Sequence, residues 1–262
     1  MEIPTKYYFV GTYLPTLSFD TKPEMNFWEL LTLLRDNLTE RDFDKVRSIR
    51  RLYDLLNLRY IWLEQPIDPF GQLDEGQLED AIVTGIGLPD YVYDFIQAHE
   101  KNSDRIRHFP FLLTQFFKYT EFHNFEFLSW YLDFERKLRL ILTGFRAKKM
   151  GKDLNVELQY EDPEEDLIAQ LLAQKDDKAF EPPEGFQELK QIFDKYSDDP
   201  IGLQRAVDVY RFETIEKQLE DGDPFSITRI LAYVIEFIII HKWFELDEKE
   251  GKKIIDTIAK EV

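Results

Sequence analysis

The stretch "YVIEFIIIHKWF", residues 233–244, decides how the chain is read. It is the most apolar segment, yet it carries Glu236, His241 and Lys242. A bilayer-spanning helix needs about 20 mostly apolar residues, and shorter apolar runs are commonly core helices. The apolar run from Ile230 to Phe244 covers only 15 residues, and a carboxylate at Glu236 is costly in hydrocarbon. The flanks "DGDPFSITR" and "ELDEKEGKK" are densely charged. The segment therefore reads as a buried helix over residues 225–244.

Working outward, the same helical period recurs. Phe43, Val46, Ile49, Tyr53, Leu56, Tyr60 and Leu63 return at steps of three and four, as one helix face requires. Thr39 with Asp42 marks its capped start, and Pro66, Pro69 and Gly71 mark its end. A second long helix is predicted over 124–149, with Phe127, Trp130, Phe134, Leu138, Ile141 and Phe145 on one stripe. Its other face carries Asp133–Lys137 and Glu135–Arg139 at i,i+4. A third covers 200–219, and a last amphipathic helix covers 248–262. Shorter helices fit "NFWELLTLLRDNL", "PDYVYDFIQAHE", "FPFLLTQFFKYT", "PEEDLIAQLLAQ" and "EGFQELKQIFDKY". Only "KYYFVGTYLP" reads as extended, being aromatic and β-branched and stopped by Pro15. The fold class is all-α, a multi-lobed helical protein with pseudo-repeated long helices. It reads as a single chain with candidate lobes 1–70, 71–178 and 179–262, broken at "EQPIDPFGQLDEG" and "QKDDKAFEPPEG".

Composition narrows the function classes. With 51 acidic against 33 basic residues the formal charge is −18, which repels nucleic-acid phosphates and anionic headgroups. Neither is an expected partner. Zero cysteines exclude a disulfide scaffold, a thiolate nucleophile and a Cys-ligated metal. The start "MEIPTKYYFVGTYLP" lacks the pattern of a signal peptide, so the cytoplasm is the expected location.

No catalytic motif emerges. His99, His108, His123 and His241 show no metal-ligand spacing, and "GIGLPD" lacks the third glycine of a nucleotide loop. Gly-x-Ser-x-Gly is missing. The expectation is a protein that is not an enzyme and needs no cofactor or metal. His241 is expected at a helix C-terminus, where an imidazolium is favoured. Glu236, with Tyr233, Ile239 and Ile240 as helical neighbours, is expected to be buried and held by an Arg, Lys or Tyr. One basic spot, Arg146, Lys148, Lys149 and Lys152, departs from the acidic background. It complements a helix C-terminus capped by Gly151, and it could also orient a partner. A weak echo places Asp54, Asp133 and Asp208 three residues before Asn57, Arg136 and Arg211, each inside a long helix. One reading is chance in a charge-rich chain. The other is one helical unit used three times, with each Asp holding its partner at a helix junction.

Three stretches carry a resemblance: "KYYFVGTYLPTLSFD" (6–20), "VRSIRRLYDLLNLRYIWLEQP" (46–66) and "ILAYVIEFIIIHKWFEL" (230–246). They resemble a bacterial family associated with V-type ATPases and distantly similar to the C (in eukaryotes, d) component of the rotary ATPase central stalk. Asp54, Asn57, Leu58 and Arg59 match that component's Asp-x-x-Asn-Leu-basic pattern, and Tyr233, Glu236 and Ile240 match its Tyr-x-x-Glu-x-x-x-Ile helix. The chain is shorter than a typical protein of that kind, and Arg136 and Arg211 stand where the second and third lobes would carry Asn. The resemblance implies a C/d-like socket without chemistry of its own. It would grip the central shaft, rest on the proteolipid ring, and meet the inner membrane only through those partners. The alternative is a free-standing helical-repeat adaptor that binds a peptide in a groove lined by Trp28, Trp62 and Trp130.

Overall fold

The computed structural model describes residues 5–119, 125–177 and 179–261, with side chains up to 246. Among them are twelve α-helices and no strand, only an isolated bridge between Ser18 and Thr21. In chain order they are α1 (Tyr8–Tyr13), α2 (Phe27–Asn37), α3 (Glu40–Trp62), α4 (Glu75–Thr84), α5 (Asp90–Ala98) and α6 (Asn102–Lys118). Then come α7 (Glu126–Met150), α8 (Leu154–Glu157), α9 (Asp166–Ala173), α10 (Gln187–Tyr196), α11 (Pro200–Gln218) and α12 (Ile227–Glu261). The chain divides into two units. One takes the chain up to Ile49 and from Asp198 onward, and the other is Arg50–Ser197. These limits fall inside α3 and after α10, whereas the candidate lobes are bounded at 70/71 and 178/179.

In the first unit α12 is the centre. Ile230, Leu231, Ala232, Val234, Ile235, Phe237, Ile238, Ile239 and Ile240 are all buried, so apart from Tyr233 and Glu236 this part is apolar, and it is enclosed on every side. Phe27 from α2 stacks on Phe237 at 6.2 Å between ring centroids. No helix among the described residues is long and apolar enough to cross a membrane. The helix does not stop near residue 244 but continues to Glu261 as one element of 35 residues. Lone Gly251 is tolerated in a helix at a cost of about 1 kcal/mol, and no proline follows to end it. His241 is therefore mid-helix, with Nδ1 3.4 Å from Glu245 Oε1, rather than at a C-terminus.

Residues 8–13 are helical, not extended. Local β propensity loses to packing: Tyr7 N–H donates to Phe225 O at 2.8 Å, and Val10 is buried. At the start of α3, Thr39 Oγ1 accepts from Asp42 N at 3.2 Å, the expected cap. The Asp42 carboxylate is taken by the Tyr7 hydroxyl and by Lys45 Nζ at 2.7 Å.

The second unit packs the C-terminal half of α3 and α7 among aromatic rings. Trp62 lies against Phe95 and Phe109, Trp130 stacks on Phe134 at 5.7 Å, and Phe145 meets Phe180 and Phe193. α4 has no counterpart among the expected helices, although it has a full capping box: Asp74 Oδ1 accepts from Gln77 N at 2.8 Å, and Gln77 Oε1 accepts from Asp74 N at 3.0 Å. α6 begins seven residues earlier than expected and runs through Pro110. Its first turn is held by Arg105, whose Nε donates to His99 O at 2.7 Å. α7 ends as expected, with Gly151 at φ 64° and its N–H on Ala147 and Lys148 carbonyls.

Candidate functional site

The residues singled out in 46–66 form one stripe of α3 in the second unit. Arg50, Asp54 and Asn57 are spaced four and three apart, so they share a face, and all three are buried. Opposite them runs the loop at 68–73. Asn57 Nδ2 donates to Asp68 O at 2.9 Å, and its Oδ1 accepts from Asp68 N at 2.8 Å. Asp54 Oδ1 accepts from Gln72 N at 2.6 Å and Leu73 N at 3.0 Å. Arg50 donates to the carbonyls of Phe70 and Gly71. Gly71 sits where a Cβ would lie 2.7 Å from both Asn57 Nδ2 and Asp54 Oδ1. Burial pushes the Asp54 carboxyl up to about 6, against the two amide hydrogen bonds that favour its charged form. Arg59 lies over the Phe109 ring at 5.8 Å. A cleft of about 710 Å³ opens beside Asp54, lined also by Arg51, Gln72, Tyr91, Asp94 and Tyr119. The Asp54 oxygen that meets the loop is satisfied, so the arrangement is a clamp on backbone.

The first unit holds the other matched residues. Tyr233 and Glu236, on α12, line a cavity of about 380 Å³ together with Glu216 and Phe212 of α11, Arg229, and the segment from Gly11 to Leu17. Glu216 Oε1 accepts from Arg229 Nη2 at 2.7 Å. Glu236 is 1% exposed, and its Oε1 lies 4.0 Å from Arg229 Nη1 without a hydrogen bond. The Tyr233 hydroxyl is buried without a partner as well. Burial, then the hydrogen bond that Glu236 makes with the Glu216 carboxylate and that carboxylate's charge, push Glu236 up to about 8, with Arg229 opposing. Burial also raises Tyr233. Glu216 is held below the ordinary carboxylate range: burial works to raise it, and its hydrogen bonds with Arg229 and with Glu236, together with the Arg229 charge, outweigh that. Glu236 is thus buried as expected and has Arg229 nearby, but Tyr233 does not hold it. Glu216 carries no signal in the sequence that would single it out.

The basic spot lies at the surface, but its three lysines are engaged by the chain itself. Lys148 Nζ donates to Lys175 O at 2.6 Å and Asp177 O at 2.8 Å, Lys149 Nζ donates to Ser197 O, and Lys152 reaches Glu157 at 3.3 Å. Arg146 is exposed. The threefold echo is not kept either. Asp208 is buried and meets Arg211 at 3.1 Å, as the repeat reading expects. Asp54 holds a loop, and Asp133 is a surface residue paired with Lys137 at 2.6 Å. Arg136 goes instead to Glu165 and Glu161, and Arg139 also goes to Glu161 at 2.7 Å. Thr114 completes the set on Glu161, at 2.6 Å. Trp28 is exposed but Trp62 is buried, so Trp62 lines no open groove. His99 and His108 stack at 4.6 Å, with His108 on the Tyr160 hydroxyl, and His123 lies outside the described residues. Among the described residues no group of three or more His, Cys, Asp or Glu is placed to hold a metal.

Fold and sites together define an all-α protein in which buried polar side chains fasten loops to long helices. The chain belongs to the family "Protein of unknown function (DUF2764)", whose model matches residues 4–262. It is similar to an uncharacterized protein of Chlamydia pneumoniae, 30% identical over 264 residues, spanning 98% of this chain and 99% of the relative. An uncharacterized protein of Chlamydia muridarum is 28% identical over 261 residues, spanning 97% of this chain and 98% of the relative. No solved structure matches.

Proposed function

We propose that the chain is a non-catalytic part of a bacterial V-type rotary ATPase. It is a C/d-like socket that joins the central shaft to the proteolipid ring during proton or sodium transport. It works on the cytoplasmic side and meets the membrane only through its partner subunits. The resemblance in 6–20, 46–66 and 230–246 supports this reading. The observation that carries it is the use of the matched polar residues Asp54 and Asn57: they bind the chain's own backbone at 68–73, which suits a part that holds its shape under load. Helices of 23, 25 and 35 residues supply stiff elements for the same purpose.

Co-expression with the shaft subunits of a V-type ATPase, followed by gel filtration, tests it. Co-elution at the summed mass is the expected result, and separate elution ends the proposal. A second reading, a free-standing helical adaptor, is favoured by the exposed aromatic side chains Tyr8, Phe9, Tyr13 and Trp28. A gene lying apart from rotary ATPase genes would favour it.

A further inference from the structure

The cavity of the first unit contains polar atoms that the fold itself leaves unused. Glu236 Oε1 and the Tyr233 hydroxyl are both buried, both belong to residues that line the cavity, and neither atom has a hydrogen-bond partner. A buried polar group without a partner is costly, more so when charged, so a bound group that satisfied both would gain from each. The charged and titratable groups facing Glu236 are Glu216 from α11 and Arg229 and Tyr233 from α12; the lining residues between Gly11 and Leu17 carry no charge. With both carboxylates ionised the site holds two negative charges against the one positive charge of Arg229. It lacks one cation.

We propose that this cavity is a binding site for a primary alkylammonium group, held by Glu236 and Tyr233, with its alkyl stem against Leu14, Leu17, Phe212 and Ile230. An ammonium offers three N–H donors and accepts none, which suits two oxygens that lack donors. The apolar walls suit a methylene stem, as when a lysine buries its chain and keeps its head in a polar spot. A volume of about 380 Å³ takes a short aliphatic amine or one lysine side chain. Anions are disfavoured by the paired carboxylates. Binding is proton-coupled: the neutral Glu236 carboxyl gives up its hydrogen bond with Glu216 and releases its proton to solvent, and the carboxylate pairs with the incoming ammonium. The inference does not rest on the rotary ATPase reading, and the ammonium is supplied by a free amine or by a lysine of a partner.

Isothermal titration calorimetry of the full chain with n-butylammonium tests it, run at pH 7 and pH 9 in buffers of different ionisation enthalpy. The expected result is one site, release of about one proton at pH 7, and about tenfold tighter binding at pH 9, since Glu236 ionises near 8. Tetramethylammonium, which has the charge but no N–H, binds at least tenfold more weakly. Glu236→Gln abolishes binding while the circular dichroism spectrum is retained, because Gln has the shape of the neutral acid. Tyr233→Phe weakens it severalfold. A capped peptide with one central lysine separates the sources: tighter binding than n-butylammonium assigns the site to a partner's lysine, weaker binding to a free amine. No heat at pH 9 with millimolar amine, equal binding by Glu236→Gln, or equal binding of tetramethylammonium overturns the proposal.

Discussion

Replacing Gly71 by Ala puts the clamp on α3 to a direct test. The glycine's φ lies outside the left-handed region, so the substitution carries no conformational penalty and acts through space alone. The new Cβ would sit 2.7 Å from Asn57 Nδ2 and from Asp54 Oδ1, where ordinary contact begins at 3.4 Å, so the loop must withdraw by 0.7 Å. That movement takes the 3.0 Å bond from Leu73 N to Asp54 to about 3.7 Å, beyond hydrogen-bonding range. The bond from Asp68 N to Asn57, 2.8 Å, stretches similarly. Losing one bond to a carboxylate and one neutral bond costs about 2–4 kcal/mol. The lower conformational freedom of the unfolded alanine chain returns about 0.4–1 kcal/mol of this. Urea unfolding, followed by tryptophan fluorescence, should show a net loss of about 1.5–3 kcal/mol. Gly76→Ala, inside α4 and with nothing closer than 3.6 Å to its Cβ, is the control and should gain about 0.4–1 kcal/mol rather than lose stability. A double-mutant cycle of Gly71→Ala with Asn57→Ala should be strongly non-additive, since both remove the same contact. A loss below about 0.5 kcal/mol for Gly71→Ala, or additive effects in the cycle, would refute the clamp.

Other consequences follow from the buried charges. Glu236 has a folded-state value above its unfolded one, so the native state holds the proton longer. Its contribution is present below about pH 4.5 and is lost as pH rises to about 8, with a slope of up to about 1.4 kcal/mol per unit. Glu236→Gln should flatten that part of the stability curve measured by urea titration between pH 5 and 8, and an unchanged slope would contradict the assignment. Asp54, raised to about 6 by burial, should weaken the native state in the same sense between about pH 4 and 6, and Asp54→Asn should remove that slope. Glu161 behaves oppositely: although burial works to raise it, Thr114, Arg136 and Arg139 bring it below the ordinary range, so its contribution is present at neutral pH and lost on acidification. Glu161→Gln leaves two arginines without their shared carboxylate, and equilibrium unfolding should show a loss of about 3–5 kcal/mol. Arg146→Glu, rather than reversal of Lys148 and Lys149, is the clean probe of the basic spot. Only a partner contact there would weaken co-elution while the thermal midpoint stays unchanged.

The long helices were legible because an apolar face at a 3.6-residue period leaves a mark over six turns, as in Phe43 to Leu63. Tyr8–Tyr13 was not, because aromatic and β-branched residues favour strands locally while Phe225, far away in sequence, makes them a helix. The end expected near Phe244 rests on charge density, and charge does not break a helix that has no proline. Asp54 and Asn57 could be picked out, but not the loop at 68–73 they hold, since that pairing depends on how the chain folds back after Trp62. Glu236 is visible because an acid stands out in an isoleucine run. Glu216 does not stand out among 51 acidic residues, and only the packing of α11 on α12 brings it beside Glu236. Lys148 and Lys149 look like free surface cations in sequence because the backbone carbonyls they reach leave no trace in the identity of the residues that carry them.

The central proposal is that the chain holds other parts of a rotary ATPase. Affinity purification of the tagged chain from its own cells, in mild detergent and with the recovered proteins quantified by mass spectrometry, addresses it most directly. Recovery of shaft and proteolipid subunits in fixed stoichiometry is the predicted result. A chain recovered alone, or with partners that include no part of the ATPase, would contradict it.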